Sequence, residues 1–184
     1  MIKEPKTIET ERLVIRRVYS TDITLFGATS DPEVVKYEPW GPHTDVTQFM
    51  EYINQVFDKY ENGDITEWTI ELEETGDPIG MINVHNISPT HKHGELGFWI
   101  AKDYWGNGYA TEACKAIIYH TFAELGFQRI HSITASENLA CKRVLEKIGM
   151  KFEGTLRQYM YLNCTKRKEL SDVNIYSVLK KEFN

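Results

Sequence analysis

The sequence predicts an α/β (α+β) fold in which helices pack on a central mixed, largely antiparallel sheet. Some segments alternate apolar and polar residues, which is typical of half-buried strands. Other segments, which lie between them, have apolar residues at helical spacing and are predicted to be helices. Three such strands follow one another after the first long helix, and strands alternate with helices only later. A β-meander followed by β-α-β-α-β-β favours this fold over a doubly wound parallel sheet.

The first half of the chain is predicted to contain one strand, three helices and the meander. Residues 13–18 form the strand, and residues 20–37 form two short helices. The second of these is predicted to start at Asp31-Pro32-Glu33, where an N-cap acceptor precedes a proline and an acidic residue. A longer helix spans residues 46–60 and ends at Asn62-Gly63. The meander strands are residues 68–72, 79–87 and 95–100.

The second half begins with a helix that follows the glycines of "DYWGNGYATEA" and stops at Gly126. A strand over residues 129–134 comes next. Asn138 is predicted to cap a further helix, which Gly149 closes. Two strands, residues 151–161 and 170–179, complete the chain.

Length and composition predict a single domain over residues 1–184. The net charge of -6 argues against non-specific nucleic-acid binding, which requires a basic face. No apolar run approaches the roughly 20 residues of a membrane span, and the N-terminus lacks a signal-peptide pattern. The cysteines, Cys114, Cys141 and Cys164, are odd in number and far apart, which suits the cytoplasm.

Gly106 and Gly108 stand where a helix begins, and a helix start exposes unpaired N–H groups and partial positive charge. Glycines there allow an anion such as a phosphate to approach the backbone, although a tight turn alone could also require them. A Walker loop is disfavoured because Tyr109-Ala110 replaces its Lys-Ser/Thr. A dinucleotide fold is disfavoured because five residues separate the strand from Gly106, and because the next strand, which ends in "HSITAS", is followed by no acidic residue until Glu137.

Five stretches of the chain together resemble the GNAT superfamily of N-acetyltransferases, most closely the RimJ/RimL-type subgroup that acetylates ribosomal-protein N-termini. They are "TERLVIRR", "PIGMINVHNI", "ELGFWIAKDYWGNGYATEA", "SENLACKRVLEKIGMKFEGTLRQ" and "DVNIYSVLKKEF". Trp105 departs from the Gln or Arg of the superfamily pattern but is usual in the subgroup. The resemblance implies a seven-stranded twisted sheet with splayed fourth and fifth strands, flanked by about four helices. It also implies acetyl-CoA-dependent transfer to a primary amine by direct attack in a ternary complex, without a metal.

The resemblance also implies which residues contact acetyl-CoA. The arm of the coenzyme is expected to lie between the two splayed strands, and the diphosphate is expected on the backbone at the start of the helix. The implied coenzyme-binding residues are Phe98, Trp99, Ile100, Trp105, Gly106, Asn107, Gly108, Tyr109, Ala110, Thr111, Asn138 and Cys141. An N-cap role for Asn138 is compatible with this binding role.

Amine attack on a thioester requires a base, an oxyanion donor and a proton for the leaving thiolate. A backbone N–H near Trp99 or Ile100 is the expected oxyanion donor. The resemblance offers two carboxylates for the base, Glu153 and Glu95, with Glu153 slightly favoured. Cys141 stands where the subgroup has a serine that protonates the thiolate, so either this thiol or a tyrosine, Tyr159 or Tyr161, donates the proton. A buried apolar role for Cys141 is the alternative.

The loop "KYEPWGPHTD" supplies Tyr37, Glu38 and Trp40, which the resemblance places in the wall of the acceptor cleft. The acceptor is expected to be a protein N-terminus or a small amine, and the protein is expected to be able to form a homodimer. His91-x-His93 could bind a metal ion, but no third metal ligand lies nearby in the sequence. The segment is therefore interpreted as an exposed turn. Two alternatives remain open: a coenzyme-binding sensor or scaffold without turnover, and a nucleotide-binding enzyme.

Overall fold

The computed structural model describes residues 5–62, 64, 66–162 and 169–183, and within them it contains eight strands and four α-helices. The strands are β1 (Ile8–Glu9), β2 (Leu13–Arg16), β3 (Glu67–Leu72), β4 (Pro78–Ser88), β5 (His93–Ile100), β6 (Arg129–Ala135), β7 (Lys151–Tyr161) and β8 (Leu170–Leu179). The helices are α1 (Phe26–Thr29), α2 (Val46–Glu61), α3 (Tyr109–Ala123) and α4 (Leu139–Lys147). Short 3-10 helices lie at Ser20–Leu25, Lys102–Tyr104 and Lys180–Glu182.

The strands form one sheet in the order β1-β2-β3-β4-β5-β6-β8-β7. Within the described part of the chain, β5 and β6 pair in parallel and every other neighbouring pair is antiparallel. This confirms the predicted mixed, largely antiparallel α/β fold. The sheet has eight strands rather than seven because β1 pairs with β2 through two residues, Ile8 opposite Ile15 and Glu9 opposite Val14. A strand of two residues is too short to show an alternation of apolar and polar side chains in the sequence.

The second short helix predicted at Asp31-Pro32-Glu33 is wrong, since residues 31–37 form consecutive turns. The Asp31 carboxylate accepts a hydrogen bond from the Glu33 amide at 2.8 Å, and the Asp31 carbonyl accepts one from the Val35 amide at 3.2 Å. Val35 is fully buried and anchors the segment. The Asp31 side chain therefore closes a local turn instead of capping a helix. At the end of α2, Gly63 lies outside the described residues.

Helices cover both faces of the sheet and create two apolar clusters. One cluster joins α3 and α4 to one face through residues that include Trp68, Leu96, Ile117, Ile130 and Leu145. The other joins α2 to the opposite face through residues that include Val18, Phe49, Ile53, Val56 and Met81. We refer to the second face as the α2 face. No helix in the described ranges is long and apolar enough to cross a membrane.

Gly80→Ala is expected to destabilise the fold where β4 lies against β5. A Cβ at this position would lie 2.2 Å from the Trp99 carbonyl oxygen and 3.0 Å from the Ile100 Cα, and backbone atoms cannot move aside without separating the strands. Overpacking of this kind costs about 3 kcal/mol, which a urea denaturation curve measures. Gly27→Ala, whose Cβ would meet nothing within 4 Å, is the matched control. An unchanged midpoint for Gly80→Ala would contradict the close approach.

Candidate active site

Strands β5 and β6 diverge and leave a V-shaped gap in the sheet. In the region that the structure describes, they pair only where residues 93–95 lie opposite residues 129–131. Where the strands separate, the Ser132 hydroxyl donates a hydrogen bond to the Leu96 carbonyl at 2.9 Å. On their outer sides β5 stays paired with β4, and β6 stays paired with β8. The inner backbone edges beyond Leu96 and Ser132 are therefore open to an extended ligand.

Helix α3 begins beside this gap with an uncapped first turn. Gly108 is its N-cap residue at φ 86°, and Gly106 stands at φ 80°, a conformation that favours glycine. No side chain among the described residues caps this helix start. The amides of Tyr109, Ala110 and Thr111 have no partner within the helix, because first-turn amides lack a preceding turn. They form a binding site suited to an anion, which we call the anion seat.

Basic side chains surround the same turn. The Arg12 guanidinium contacts the Glu112 carboxylate at 2.6 Å and donates to the Asn107 carbonyl at 3.0 Å, which braces the glycine turn from β2. A cleft of about 370 Å³ opens over the turn. It is lined by Gly108, Thr111, three basic residues (Arg12, Lys115 and Lys147) and two acidic ones (Glu11 and Glu112), of which Glu112 is paired with Arg12. Free amides and ammonium groups together fit the phosphates of a coenzyme.

Aromatic residues frame the wide end of the gap. The Trp105 indole donates a hydrogen bond to the Ile100 carbonyl at 2.7 Å, which fixes the loop between β5 and α3. Phe98 packs on the cluster under α3 and α4, whereas Trp99 packs on the α2 cluster. The Trp40 ring lies edge-on to Trp99 with centroids 6.4 Å apart. The loop after α1 therefore covers the β5 side of the gap.

Cys141 lies at the β6 side of the gap. Asn138 caps α4 as predicted, since its side-chain oxygen accepts a hydrogen bond from the Cys141 amide at 3.1 Å. The Cys141 thiol is hydrogen-bonded to the Thr134 side chain on β6, and burial raises the pKa of the thiol to about 11. The thiol is thus protonated at neutral pH. It can donate a proton but is a poor nucleophile, which disfavours a covalent acetyl-cysteine route.

Glu95 lies between two histidines on the α2 face. Its carboxylate oxygens are 3.6 Å from His85 Nε2 and 3.5 Å from His131 Nε2, and Asn86 donates a hydrogen bond at 2.9 Å. Burial alone would raise the pKa of Glu95, but the hydrogen bonds from His131, His85 and Asn86 outweigh burial and lower it. A carboxylate held in this way is a weak base.

Glu153 is committed to an ion pair. Both Arg129 terminal nitrogens donate to its carboxylate, at 2.7 and 2.5 Å, and the Ser177 hydroxyl donates at 2.6 Å. The Arg129 hydrogen bonds lower the pKa of Glu153 to about 2. These contacts argue against Glu153, the residue favoured above as the catalytic base. The assignment of Glu153 or Glu95 to that role stays a prediction.

The predicted acceptor loop lies over the α2 face. Trp40 stacks on His43 with ring centroids 5.5 Å apart, and the Lys36 ammonium lies 5.1 Å from the centre of the Tyr37 ring. Glu38 is partly buried, within electrostatic range of His85. The structure therefore brings Glu38 and Trp40 to the gap, while Tyr37 extends the same loop.

Tyr159 lies on β7, the edge strand, and is about half exposed at 52%. The last residue of β6, Ala135, pairs with Val173, whereas Met160 pairs with Ser171 farther along β8. Tyr159 therefore lies beyond the open end of the gap. Among the described residues no hydrogen bond joins it to Cys141, and its role as a proton donor stays a prediction.

Gly97 is a site residue that the sequence analysis missed. It lies on the α2 face between Glu95 and Trp99, and a Cβ there would be 2.7 Å from the Asn83 side-chain oxygen and 3.3 Å from the His85 ring. The missing side chain makes room for the Asn83 and His85 side chains, which pack over Gly97 beside the gap. A glycine within an alternating strand signals such a close approach and could have identified it.

The described residues contain no group of three or more His, Cys, Asp or Glu side chains that could hold a metal ion. His91 and His93, considered above as metal ligands, stack on each other with ring centroids 6.2 Å apart.

Comparison with known proteins identifies the family. Residues 12–151 match the acetyltransferase (GNAT) domain. The chain is 33% identical to the uncharacterized N-acetyltransferase YoaA of Bacillus subtilis (strain 168), over 94% of this chain and 96% of the relative. It is 32% identical to the ribosomal-protein-serine acetyltransferase of Escherichia coli (strain K12), over 54% of this chain and 53% of the relative.

A solved structure has the same fold. The GNAT-family acetyltransferase from Bacillus anthracis superimposes with a TM-score of 0.84 at 29% identity, covering 96% of this chain and all of that one. The uncapped start of α3 and the gap between β5 and β6 suit acetyl-CoA, the acetyl donor of this family. The chain therefore belongs to the GNAT superfamily of acetyl-CoA-dependent N-acetyltransferases and resembles its RimJ/RimL-type subgroup.

Proposed function

We propose that this N-acetyltransferase transfers the acetyl group directly to a primary amine, on a protein N-terminus or a small molecule, within a ternary complex. The observation that carries the proposal is the gap between β5 and β6, which adjoins an anion seat at one end and the α2 face at its side. A donor in the gap and an acceptor on the α2 face would meet without a covalent enzyme intermediate.

Several residues of the chain have defined roles in this proposal. Acetyl-CoA supplies the acetyl group as a thioester. The amides of residues 108–111, together with Lys115, hold the diphosphate. A backbone N–H near Trp99 or Ile100 donates to the carbonyl oxygen as negative charge develops there. Cys141 holds a proton beside the gap, where the leaving sulfur is expected, and the side chain of Thr134 orients its thiol.

The charges on the α2 face favour a cationic acceptor. Glu38 and Glu95 flank His85 on this face, and Glu67 lies farther along it, bonded to Tyr52 and Lys59. Carboxylates at low dielectric attract an ammonium group strongly. The Escherichia coli relative is named a ribosomal-protein-serine acetyltransferase, which is consistent with a protein as the acceptor.

The test is release of the coenzyme thiol from acetyl-CoA with a panel of acceptors, alongside calorimetric titration of the protein with CoA. The panel contains peptides with free N-termini, the same peptides with blocked N-termini and a lysine, and polyamines. Thiol release with at least one acceptor is the expected result. Tight CoA binding without release for any acceptor would favour a non-catalytic module, and displacement of CoA by ATP or NAD would favour a nucleotide-binding enzyme.

Substitutions of Cys141 test the proton donor. Cys141→Ser is expected to keep or raise kcat because a hydroxyl is the stronger hydrogen-bond donor to the developing thiolate, whereas Cys141→Ala is expected to lower kcat about tenfold. The affinity for CoA, measured by calorimetry, should change little in either variant. Wild-type turnover by Cys141→Ala would show that the thiol has only a packing role, and Tyr159→Phe then tests the alternative donor.

A further inference from the structure

We propose that Glu38 is the general base of the acetyl transfer, the group that takes a proton from the acceptor ammonium. The inference rests on the proposed function and deepens it, because it assigns the base to the loop after α1. Neither of the two strand carboxylates predicted from the sequence holds that role in this proposal.

The position of Glu38 is the first argument. Trp40, two residues after Glu38, lies edge-on to Trp99 of β5 with ring centroids 6.4 Å apart, so this loop covers the α2 face beside the gap. The partly buried Glu38 carboxyl lies there within electrostatic range of His85 on β4, Tyr52 on α2 and Cys141 on α4. Cys141 in turn is hydrogen-bonded to Thr134 on β6. Groups from three different elements thus place Glu38 between the α2 face and the β6 side of the gap. An acceptor amine that reaches the gap from the α2 face would pass this carboxyl.

The second argument is that Glu38 alone among the acidic side chains discussed on this face is uncommitted. Glu153 is paired with Arg129, Glu95 with two histidines, and Glu67 with Tyr52 and Lys59. In the described ranges, no ion pair or hydrogen bond involves the Glu38 side chain. A partly buried carboxyl without a partner is costly to maintain, and such groups are frequent at functional sites.

The third argument is electrostatic. Burial raises the pKa of Glu38 to about 7, and His85 opposes this rise through its charge. A base with a pKa near the working pH is efficient, because it is ionised enough to act and basic enough to accept the proton. The Tyr52 hydroxyl and the Cys141 thiol both have raised pKa values and are neutral at that pH.

The proton balance of the step is complete. The Glu38 carboxylate takes one proton from the acceptor ammonium, and the freed nitrogen lone pair forms the C–N bond to the acetyl carbon. The C–S bond breaks with its electron pair on sulfur. The sulfur receives a proton from Cys141, which is reprotonated by the second proton of the nitrogen. Glu38 then releases its proton to water, so each turnover yields an amide, a thiol and one proton.

The test compares Glu38→Gln with Glu33→Gln. Glu33 lies in the same loop, and its exposed carboxylate is paired with Lys102. Glu38→Gln is expected to lower kcat at least about 100-fold and to abolish the acid limb near pH 7 in the profile of kcat/KM. Its affinity for CoA should stay within about twofold of wild type. Glu33→Gln should keep both kcat and the limb, and Glu38→Asp should retain a measurable part of the activity.

A second readout does not depend on turnover. Because the folded pKa of Glu38 lies above the ordinary carboxylate value, the folded protein binds more protons than the unfolded chain between about pH 4.5 and 7. Stability of the wild type should therefore fall as the pH rises through this window, relative to Glu38→Gln. Identical pH dependence of the two melting midpoints would overturn the placement of Glu38 whether or not an acceptor is known.

The outcomes separate this inference from the proposed function. Thiol release by wild type, with loss of the acid limb in Glu153→Gln or Glu95→Gln but not in Glu38→Gln, would overturn the assignment of the base and leave the reaction intact. A second outcome is that wild type and Glu38→Gln differ in the pH dependence of their stability as expected, but that no amine gives thiol release. This outcome would support the partly buried position of the Glu38 carboxyl and overturn its role in acetyl transfer.

Discussion

Thr111→Glu is expected to weaken CoA binding more than tenfold while leaving the fold intact. Thr111 lines the cleft at the first turn of α3, so a carboxylate there would repel the diphosphate from its seat. At an effective dielectric constant of about 20, two charges 4 Å apart interact by about 4 kcal/mol, and solvent exposure reduces this to roughly 2 kcal/mol. Each 1.4 kcal/mol corresponds to a tenfold change in affinity.

The position was chosen so that helix stability and coenzyme binding change in opposite directions. A glutamate in the first turn interacts favourably with the helix dipole, so the melting temperature should hold or rise. Substitutions of Gly108 would not separate the two effects, because its φ of 86° strains any other residue. Thr111→Gln is the uncharged control and should bind CoA nearly as wild type does. Calorimetric affinities that are equal for both variants would contradict the anion seat.

Asp22→Ala is expected to cause the largest loss of stability among the substitutions considered. The Asp22 side chain is 1% exposed and pairs with Arg16 Nη2 at 2.9 Å, while the Thr69 hydroxyl and the Tyr19 amide donate to it at 2.7 and 2.9 Å. Removing it leaves the largely buried Arg16 guanidinium with one carboxylate fewer and two donors unsatisfied. Breaking such a pair costs about 3–5 kcal/mol in the free energy of unfolding.

The control removes the other partner of Arg16. Glu71 contacts Arg16 Nε at 2.6 Å and is 20% exposed, so Glu71→Ala should cost less, about 1–2 kcal/mol. Urea denaturation of both variants measures the two losses. Equal losses would show that the buried carboxylate of Asp22 contributes no more stability than the partly buried carboxylate of Glu71.

The parts of the site that the sequence predicted are those that depend on local chemistry. The positive φ values of Gly106 and Gly108 and the N-cap of Asn138 involve residues a few positions apart. Gly126 and Gly149, predicted as helix stops, also have positive φ values, at 75° and 86°. The splay of the two strands followed from the family resemblance, since alternation alone does not show where a strand lacks a neighbour.

The carboxylates show what the sequence could not predict. Glu153 and Arg129 are 24 positions apart and belong to strands separated by β8, so their ion pair depends on the register of three strands. Glu95 is held by histidines from the strands on either side of it. The environment of Glu38 is set by β4, α2 and α4 together. A side chain's pKa is a property of such assembled surroundings, which the order of residues does not display.

A crystal structure of the protein grown with CoA tests the central claim most directly. We predict that the diphosphate accepts hydrogen bonds from the amides of residues 108–111, and that the sulfur lies between the inner edges of β5 and β6 near Cys141. CoA bound elsewhere, or side chains filling the start of α3 while β5 and β6 close along their length, would contradict the account.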